Sequence, residues 1–247
     1  MAAQPAKAAV AVEPSTTDNL ISIIIPVLND VDALKKLLPD LQNDRLLGHE
    51  VLIVDGGSTD GSVPYASALV DRVLMTGIGR GRQMNLGAEE AQHPVLLFLH
   101  ADSQLPENAL TKISKTLDDR ARHWGRFDVV LDAKGFMYRV IACMINLRSR
   151  VSGVATGDQG IFVRRVSFHE AGSYESIPLM EDIALSKALR KSSWPACLSA
   201  KIITSARRWQ QQGVVKTILQ MWMLRFAYFI GIKPDKLADF YRPTGKL

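Results

Sequence analysis

One short stretch, residues 51–60, constrains the fold of this chain more than any other. It reads Val-Leu-Ile-Val-Asp-Gly-Gly-Ser-Thr-Asp. The four apolar residues predict a strand of a parallel sheet, because such strands are buried on both faces. Asp55 ends this strand, and the glycines after it permit a tight turn where a ligand can approach bare backbone. Ser58 or Asp60 can cap the next helix, whose start attracts anions. Open α/β sheets bind nucleotides at this edge, so the stretch predicts a nucleotide site.

Strand-like and helix-like patterns alternate along the rest of the chain. Apolar, β-branched runs predict further strands at 21–28, 72–75, 94–99, 124–131, 161–163 and 200–204. Helices are predicted at about 31–41, where Asn29 or Asp30 is the expected cap, at 60–70, at 134–150 and from residue 178 onward. This alternation predicts a single α/β domain with a mostly parallel central sheet flanked by helices.

The two ends of the chain differ from this domain in composition. Residues 1–19 are rich in Ala, with interspersed Pro, Ser and Thr, and we expect a disordered leader. We place the domain at 20–210. Residues 211–247 are expected to form an apolar helix and a basic tail, packed on the domain or at an interface.

A second strand also delivers polar side chains to the predicted edge. The run 94–99 ends in His100-Ala101-Asp102. On an extended chain, His100 and Asp102 point the same way and can bind a divalent cation shared with a ligand phosphate. The alternative is that Asp102 caps the next helix and His100 is a half-buried histidine.

Three further segments carry polar groups that suit a cleft. Residues 77–88 hold three alternating glycines with two arginines, which match phosphate oxygens or belong to an exposed loop. Residues 155–160 place Asp158 and Gln159 either in the cleft or in an ordinary turn. Glu181 and Asp182 start a helix, where carboxylates are electrostatically favoured, or form a catalytic base with a supporting acid.

The charge of the chain is uneven. The net charge is +5, but residues 201–247 hold nine Lys and Arg and two Asp, so this segment carries +7 and the remainder −2. The basic tail indicates phosphates, nucleic acid, anionic lipid or a solvated face. No nucleic-acid-binding module is recognisable, so we expect no nucleic-acid partner.

Residues 214–232 are apolar almost all round. Lys216, Gln220 and Arg225 interrupt them, which argues against a membrane-spanning helix. Peripheral membrane contact, a homo-oligomer contact and core packing all remain open. The two cysteines have neither disulfide nor metal-site spacing, and this favours a reducing, cytoplasmic location, peripheral at the membrane if the apolar segment binds lipid.

The order of these motifs resembles the family 2 glycosyltransferases with the GT-A fold. The resemblance covers about residues 20–210 and is most specific at 25–29, 54–60, 99–102 and 181–182. Segments 157–160 and 205–209 are similar to the bacterial subgroup called radical-SAM/selenodomain-associated transferase 2. The resemblance implies a hexosyltransferase-type enzyme that moves a sugar, with inversion, from a nucleotide diphosphate, typically UDP, to a hydroxyl acceptor.

The resemblance also implies a role for each matching residue. Asp182 would be the catalytic base, and Glu181 would support it or contact the acceptor. Asp102 and His100 would bind Mn²⁺ or Mg²⁺ that bridges the diphosphate. The nucleotide would be contacted by Pro26, Asn29, Asp55, Gly57, Ser58, Arg82, Asn85, His100 and Ala101. The donor sugar or acceptor would be contacted by Gly157, Asp158, Gln159, Arg208 and Trp209.

One residue departs from the family pattern. The first acid of the Asp-X-Asp motif is His100 here. Because histidine brings no negative charge, a metal ion would be held more weakly, or mostly by Asp102.

Two other functions compete with the glycosyltransferase. A nucleotidyltransferase would need a basic glycine loop directly after the first strand, where residues 26–29 stand instead. A membrane-docking module that has lost its chemistry would explain His100 and the apolar basic tail.

Overall fold

The computed structural model describes residues 20–241, so the predicted leader at 1–19 and the last residues, 242–247, lie outside it. The strands are β1 (Ile21–Val27), β2 (Glu50–Asp55), β3 (Arg72–Met75), β4 (Val95–Phe98), β5 (Ser103–Gln104), β6 (Trp124–Leu131), β7 (Ile161–Arg164) and β8 (Ala196–Thr204). They form one sheet in the order β3-β2-β1-β4-β7-β6-β8-β5. The predicted α/β class with a mostly parallel sheet is confirmed.

The sheet changes character along its width. Strands β3, β2, β1 and β4 run parallel to one another. Strand β7 is antiparallel to both β4 and β6, while β8 is parallel to β6 and β5 is antiparallel to β8. The parallel half therefore brings the ends of β1, β2 and β4 to one edge, and the mixed half continues that edge.

The helices cover both faces of the sheet. They are α1 (Val31–Asp40), α2 (Gln42–Leu46), α3 (Ser62–Ser67), α4 (Arg80–Glu90), α5 (Ala109–Leu117), α6 (Phe136–Ser152), α7 (Arg165–Glu170), α8 (Glu181–Leu189), α9 (Arg207–Gln212), α10 (Val214–Phe229) and α11 (Pro234–Tyr241), with a 3₁₀ turn at Gly157–Gln159. The predicted domain boundary at residue 210 falls inside α9.

Alternate residues of β1 belong to two separate cores. Ile23 and Ile25 pack with Leu34 and other side chains of α1, while Ile24 packs with Met84 of α4 on the opposite face. A strand buried on both faces shows this pattern because successive side chains point to opposite sides. Helix α4 approaches the sheet closely, since a Cβ atom at Gly87 would lie 2.4 Å from Ile24 Cγ2.

The predicted cap of α1 is wrong in its chemistry. Asp30 occupies the N-cap position, but its side chain makes no capping hydrogen bond. The N–H of Val31 instead donates to Asp60 Oδ2 at 3.0 Å. Asp60 also accepts hydrogen bonds from the N–H and hydroxyl of Ser62, through Oδ1. One carboxylate thus supports the starts of both α1 and α3, a long-range arrangement that local sequence does not reveal.

Helix α10 lies on the outside of the molecule. Of its residues, Thr217 and Leu224 are buried. Leu224 packs with Met180 and Ile183, but much of the apolar surface of α10 faces solvent. Core packing therefore does not explain its composition. Within residues 20–241, no helix is both long and apolar enough to cross a bilayer.

Candidate active site

A cavity of about 730 Å³ lies at the edge where β1 and β4 end. Segments far apart in sequence line it: the end of β1 with Pro26, the start of α4, residues 100–102, the 3₁₀ turn, the start of α8, and α9 with α10. Its charged lining residues are Asp30, Arg80, His100, Asp102, Asp158, Glu181, Asp182, Arg207, Arg208 and Arg225. The cavity therefore combines carboxylates with arginines, as a site for a phosphorylated ligand and proton transfer requires.

The 3₁₀ turn links the two acidic motifs of the cavity. His100 Nδ1 lies 3.3 Å from Asp158 Oδ1, and the imidazole is mostly shielded from solvent. Its Nε2 lies against Gly157, where an added Cβ atom would be 2.3 Å away. The Gly157 N–H donates to Asp182 Oδ2 at 3.0 Å. His100, Asp158 and Asp182 are thus held together through two consecutive residues of one turn.

Glu181 and Asp182 differ in their surroundings. Glu181 is 7% exposed, whereas Asp182 is half-buried and lines the cavity with both carboxylate oxygens bound by backbone. Besides the bond from Gly157, Asp182 Oδ1 accepts its hydrogen bond from the N–H of Ile183 at 2.7 Å. These two bonds fix the orientation of the Asp182 carboxylate, which still has lone pairs available to accept a proton.

The surroundings shift the pKa values of the carboxyl groups in the cavity in different directions. Burial, and then the charge of Asp182, raise the pKa of Glu181 above its usual value. Desolvation by the cavity walls also raises the pKa of Asp102, although Asp102 is exposed to solvent on its open side. Asp158 is shifted the other way. Desolvation raises its pKa, but the hydrogen bond and charge of His100, with Arg80 and Arg225, outweigh this and lower it.

Arg80 enters the cavity, whereas Arg82 does not. Arg80 is the first residue of α4 and lines the main cavity. Its charge partly offsets the rise in the pKa of Asp102 and Glu181 and helps to lower the pKa of Asp158. Arg82, the predicted nucleotide contact, lines an adjoining cavity of about 400 Å³. Residues two apart on a helix face different directions, so only one of the two arginines can point at the same ligand.

Asp55 is buried behind the cavity and does not line it. Its side chain is 0% exposed, and Oδ2 accepts hydrogen bonds from the N–H groups of Gly57 and Ser58 at 2.7 and 2.8 Å. Its other oxygen, Oδ1, is buried and has no hydrogen-bond partner within the described part of the protein. A buried acceptor without a partner is unfavourable unless a ligand supplies the donor.

Asn29 joins two loops at the same edge. It has a φ of 50°, its Oδ1 accepts the Thr59 N–H at 2.7 Å, and its own N–H donates to Ser58 Oγ. Asn29, Gly57 and Ser58 therefore connect the turns after β1 and β2 and do not line the cavity.

Two other residues that were predicted to contact a ligand, Asn85 and Gln159, form hydrogen bonds within the protein. The side chain of Asn85 donates to the carbonyl of Tyr174 at 2.8 Å and accepts the Tyr174 N–H at 2.9 Å. Gln159 is 0% exposed and accepts the Thr156 N–H through Oε1. Asn85 and Gln159 are absent from the lining of both cavities. Helix α9 does bring Arg208 and Trp209 to the main cavity.

The residues in or beside the site that were not singled out for it from sequence include Arg80, Gln83, Tyr174 and Arg225. Gln83 lines the cavity and donates through Nε2 to the carbonyls of Val27 and Val54, which fixes the ends of β1 and β2. Burial, with Asp182 and Glu181 nearby, raises the pKa of Tyr174 well above its usual value. The helical spacing from Arg80 to Gln83 was the one available signal, since residues three apart share a helix face.

The donor atoms near Asp102 suit a hard divalent cation. Asp102 experiences the negative charges of Asp158 and Asp30, both of which raise its pKa, and a bound cation would relieve this repulsion. Within residues 20–241, no group of three or more His, Cys, Asp or Glu is arranged to hold an ion unaided. An ion at Asp102 would therefore need oxygen ligands from a bound phosphate, as Mg²⁺ and Mn²⁺ sites commonly do.

The sequence is similar to glycosyltransferases. The family model for Glycosyl transferase family 2 matches residues 22–170. An undecaprenyl-phosphate 4-deoxy-4-formamido-L-arabinose transferase of Pseudomonas fluorescens is 29% identical over 165 residues, which is 58% of this chain and 46% of the relative. A PGL/p-HBAD biosynthesis glycosyltransferase of Mycobacterium bovis is 36% identical over 95 residues, 36% of this chain and 37% of the relative. The chain spans about half the length, or less, of these relatives.

Solved structures share the fold at low sequence identity. S. aureus TarS, residues 1–349, aligns with a TM-score of 0.62 at 17% identity and covers 76% of this chain and 60% of its own. The mannosyltransferase PcManGT of Pyrobaculum calidifontis, solved with GDP-Man and Mn²⁺, has a TM-score of 0.61 at 16% identity, covering 84% of this chain and 60% of its own. TarS has also been solved with UDP-GlcNAc.

Proposed function

The chain belongs to glycosyl transferase family 2 and is a transferase, and on that premise we propose that it moves a sugar from a UDP-linked donor to a hydroxyl acceptor with inversion. One observation carries this proposal: Asp102, Asp158 and Asp182, from three separate segments, line one cavity together with arginines. The fold neighbours TarS and PcManGT, solved with UDP-GlcNAc and with GDP-Man, support a nucleotide-sugar donor.

We assign the nucleotide to the edge formed by the ends of β1 and β2. The orphaned Oδ1 of Asp55 supports a hydrogen bond from an imide N–H of the base, as uracil would provide. Because Asp55 is buried, this bond requires the turn at Gly57 and Ser58 to open. Arg80, at the start of α4, is positioned for the diphosphate, where guanidinium and helix N-terminus both favour negative charge.

The leaving group accumulates charge as the glycosidic bond breaks. A Mn²⁺ or Mg²⁺ ion, when bound, supplies Lewis-acid stabilisation of that diphosphate. We assign this ion to Asp102. His100 faces Asp158 and Gly157 with its two ring nitrogens, so we give it the role of orienting Asp158, with metal contact as a secondary role. Arg80 adds positive charge to the same region.

Asp182 is the proposed general base. The acceptor hydroxyl has a very high pKa, so its proton must pass to a positioned group during attack. The Asp182 carboxylate is oriented by the N–H groups of Gly157 and Ile183 and faces the cavity. Glu181 lies beside it in a more buried position and supports its orientation. Arg208 and Trp209 line the wall where donor sugar or acceptor would sit.

A screen of sugar nucleotides tests this function directly. Thermal unfolding is measured with UDP- and GDP-linked sugars at millimolar concentration, with and without Mn²⁺. We expect a UDP-sugar to raise the melting temperature in proportion to the logarithm of its concentration. Turnover is then measured as release of nucleoside diphosphate. Failure of every sugar nucleotide to stabilise the protein would overturn the proposal, and release of pyrophosphate would indicate a nucleotidyltransferase instead.

A further inference from the structure

We propose that α6 and α10 together form a surface that docks on a bilayer containing anionic lipids. The α6–α10 surface is defined by the exposed residues of Phe136–Ser152 and Val214–Phe229. The docking itself is independent of the proposed sugar transfer, because it concerns the outer side of these helices and not the cavity.

The α6–α10 surface is unusually apolar for a surface in contact with water. Twelve of its large apolar side chains are exposed, a concentration that marks an interaction site. Trp222 is 65% exposed, Phe226 66% and Phe229 79%. The full set is Phe136, Met137, Val140, Met144, Leu147 and Val151 on α6, and Val215, Leu219, Trp222, Met223, Phe226 and Phe229 on α10.

Helices α6 and α10 each carry one exposed apolar stripe. The exposed residues of α6 recur every three or four positions, and those of α10 do the same, so each set forms one stripe. Beside these stripes, Tyr138, Ile141 and Ile145 of α6 belong to one hydrophobic cluster with Val214 and Ile218 of α10. The helices are therefore neighbours, and each turns an apolar stripe to solvent.

The charge of these helices selects an anionic bilayer over a second copy of the chain. They hold five basic residues, Arg139, Arg148, Arg150, Lys216 and Arg225, and no acidic residue. Arg139 and Lys216 are exposed and can meet headgroups, whereas Arg150 pairs with Asp128 and Arg225 lines the cavity. Two copies facing each other would bring like charges together, whereas anionic headgroups complement them.

The length and composition of the helices suit the plane of the interface. None of the helices within residues 20–241 can span a bilayer. Helices with an apolar stripe, aromatic side chains and basic residues lie flat at the boundary of headgroups and acyl chains. Trp222 and Phe226 provide the aromatic anchors that are enriched there.

Docking would place the cavity beside the membrane. Thr217, Met221 and Arg225, on another side of α10, line the cavity. Helix α10 thus separates the α6–α10 surface from the candidate active site. If the proposed function holds, the acceptor is an amphiphile whose hydroxyl reaches the cavity past this helix while its apolar part stays in the bilayer.

Vesicle flotation of the purified full chain tests the docking. The probes are vesicles of phosphatidylcholine alone and of phosphatidylcholine with about 30% phosphatidylglycerol. We expect binding to the anionic vesicles, at least tenfold weaker binding to the neutral ones, and weaker binding in high salt, which screens the charges. The double substitution Trp222→Ser and Phe226→Ser should reduce binding about tenfold or more, because the exposed anchors are lost.

A matched control removes equal apolar exposure elsewhere. Leu46 and Leu47 are 87% and 65% exposed and lie at the end of α2. Leu46→Ser with Leu47→Ser should leave vesicle binding unchanged. Equal loss of binding in the control, or no binding of the wild-type chain to anionic vesicles, would overturn the proposal. A wild-type dimer that Trp222→Ser and Phe226→Ser convert to a monomer, without vesicle binding, would assign the surface to a second copy.

A fluorescent label on Cys143 measures insertion of α6 into the membrane while the apolar residues of the α6–α10 surface are kept. Cys143 is exposed on α6, and Cys197 is the one other cysteine of the chain. With Cys197→Ser, a polarity-sensitive dye at Cys143 should shift its emission to the blue with anionic vesicles. An unchanged spectrum under conditions of flotation would show that α6 stays out of the interface and would overturn the two-helix surface.

Discussion

The N–H of Gly157 donates a hydrogen bond to Oδ2 of Asp182 at 3.0 Å, across 25 residues of sequence. The same Gly157 lies over the imidazole of His100, which faces Asp158. The 3₁₀ turn therefore couples the orientation of the proposed base to the segment that follows β4. This coupling explains why a glycine stands at position 157: a larger residue would displace His100 or break the bond to Asp182.

The substitution Gly157→Ala tests this close contact. The new Cβ atom would lie 2.3 Å from His100 Nε2, so the ring must move. Overpacking of this kind costs about 1–3 kcal/mol of stability. We also expect reduced turnover, because the turn contains Asp158 and holds Asp182 through the Gly157 N–H. Unfolding in urea and an assay of donor cleavage measure the two effects.

Gly77→Ala is the control for that substitution. A Cβ atom at Gly77 would lie 3.1 Å from the end of the flexible Arg82 side chain, which can move aside. Its stability should stay within about 0.5 kcal/mol of wild type, as for ordinary surface substitutions. Wild-type stability and turnover in Gly157→Ala would show that the turn tolerates displacement of His100.

Arg80 and Arg82 should contribute unequally to donor binding. Arg80 lines the main cavity and Arg82 the adjoining one. A hydrogen bond to a charged group is worth about 1.5–3 kcal/mol, so Arg80→Gln should weaken binding of a UDP-sugar about 10- to 100-fold. Arg82→Gln should have a clearly smaller effect. Isothermal titration calorimetry of both variants measures the difference, and a larger loss in Arg82→Gln would reverse the assignment.

Glu181 should make the folded state less stable as the pH rises. Its pKa is raised by burial and by Asp182, so the folded state holds the proton more tightly than the unfolded state. Stability therefore falls as the pH rises from the unfolded pKa, near 4.5, through the folded one. Glu181→Gln should have the higher melting temperature at pH 7, with the difference shrinking towards pH 4. A difference that is constant with pH would contradict this origin.

Asp102→Asn should remove the effect of metal on donor binding. With wild-type protein, we expect Mn²⁺ to increase the stabilisation by a UDP-sugar, since the ion and diphosphate share ligands. Asp102→Asn should abolish this increase. Asp118→Asn, an exposed residue after α5, is the control and should behave as wild type. Persistence of the metal effect in Asp102→Asn would move the ion to other residues.

Local sequence predicts the parallel half of the fold well. Strands β3 and β6 have the predicted bounds, and β1, β2 and β4 deliver their polar residues to the expected edge. Buried parallel strands have a clear apolar signature, so they can be recognised individually. The antiparallel placement of β7 between β4 and β6 has no such signature, because strand direction depends on contacts distant in sequence.

The candidate site was predicted less completely than the fold. His100, Asp102, Asp158 and Asp182 share a cavity, as their order along the chain suggested. The family resemblance implied a nucleotide contact for Arg82, whereas Arg80 lines the main cavity. The phase of α4 that decides between them was not visible from sequence, because Gly77, Gly79 and Gly81 leave the first helical residue undefined. The partner of Asn85 was not visible from sequence either, since its amide pairs with the backbone of Tyr174, 89 residues away.

Turnover of Asp182→Asn with a UDP-sugar tests the central claim most directly. Loss of a general base typically lowers the rate about 10²–10⁴-fold. The thermal stabilisation by the donor should remain near wild type, because the amide oxygen of the substituted side chain can keep one backbone bond. We expect this loss of turnover together with retained donor binding. Wild-type turnover in Asp182→Asn would contradict it.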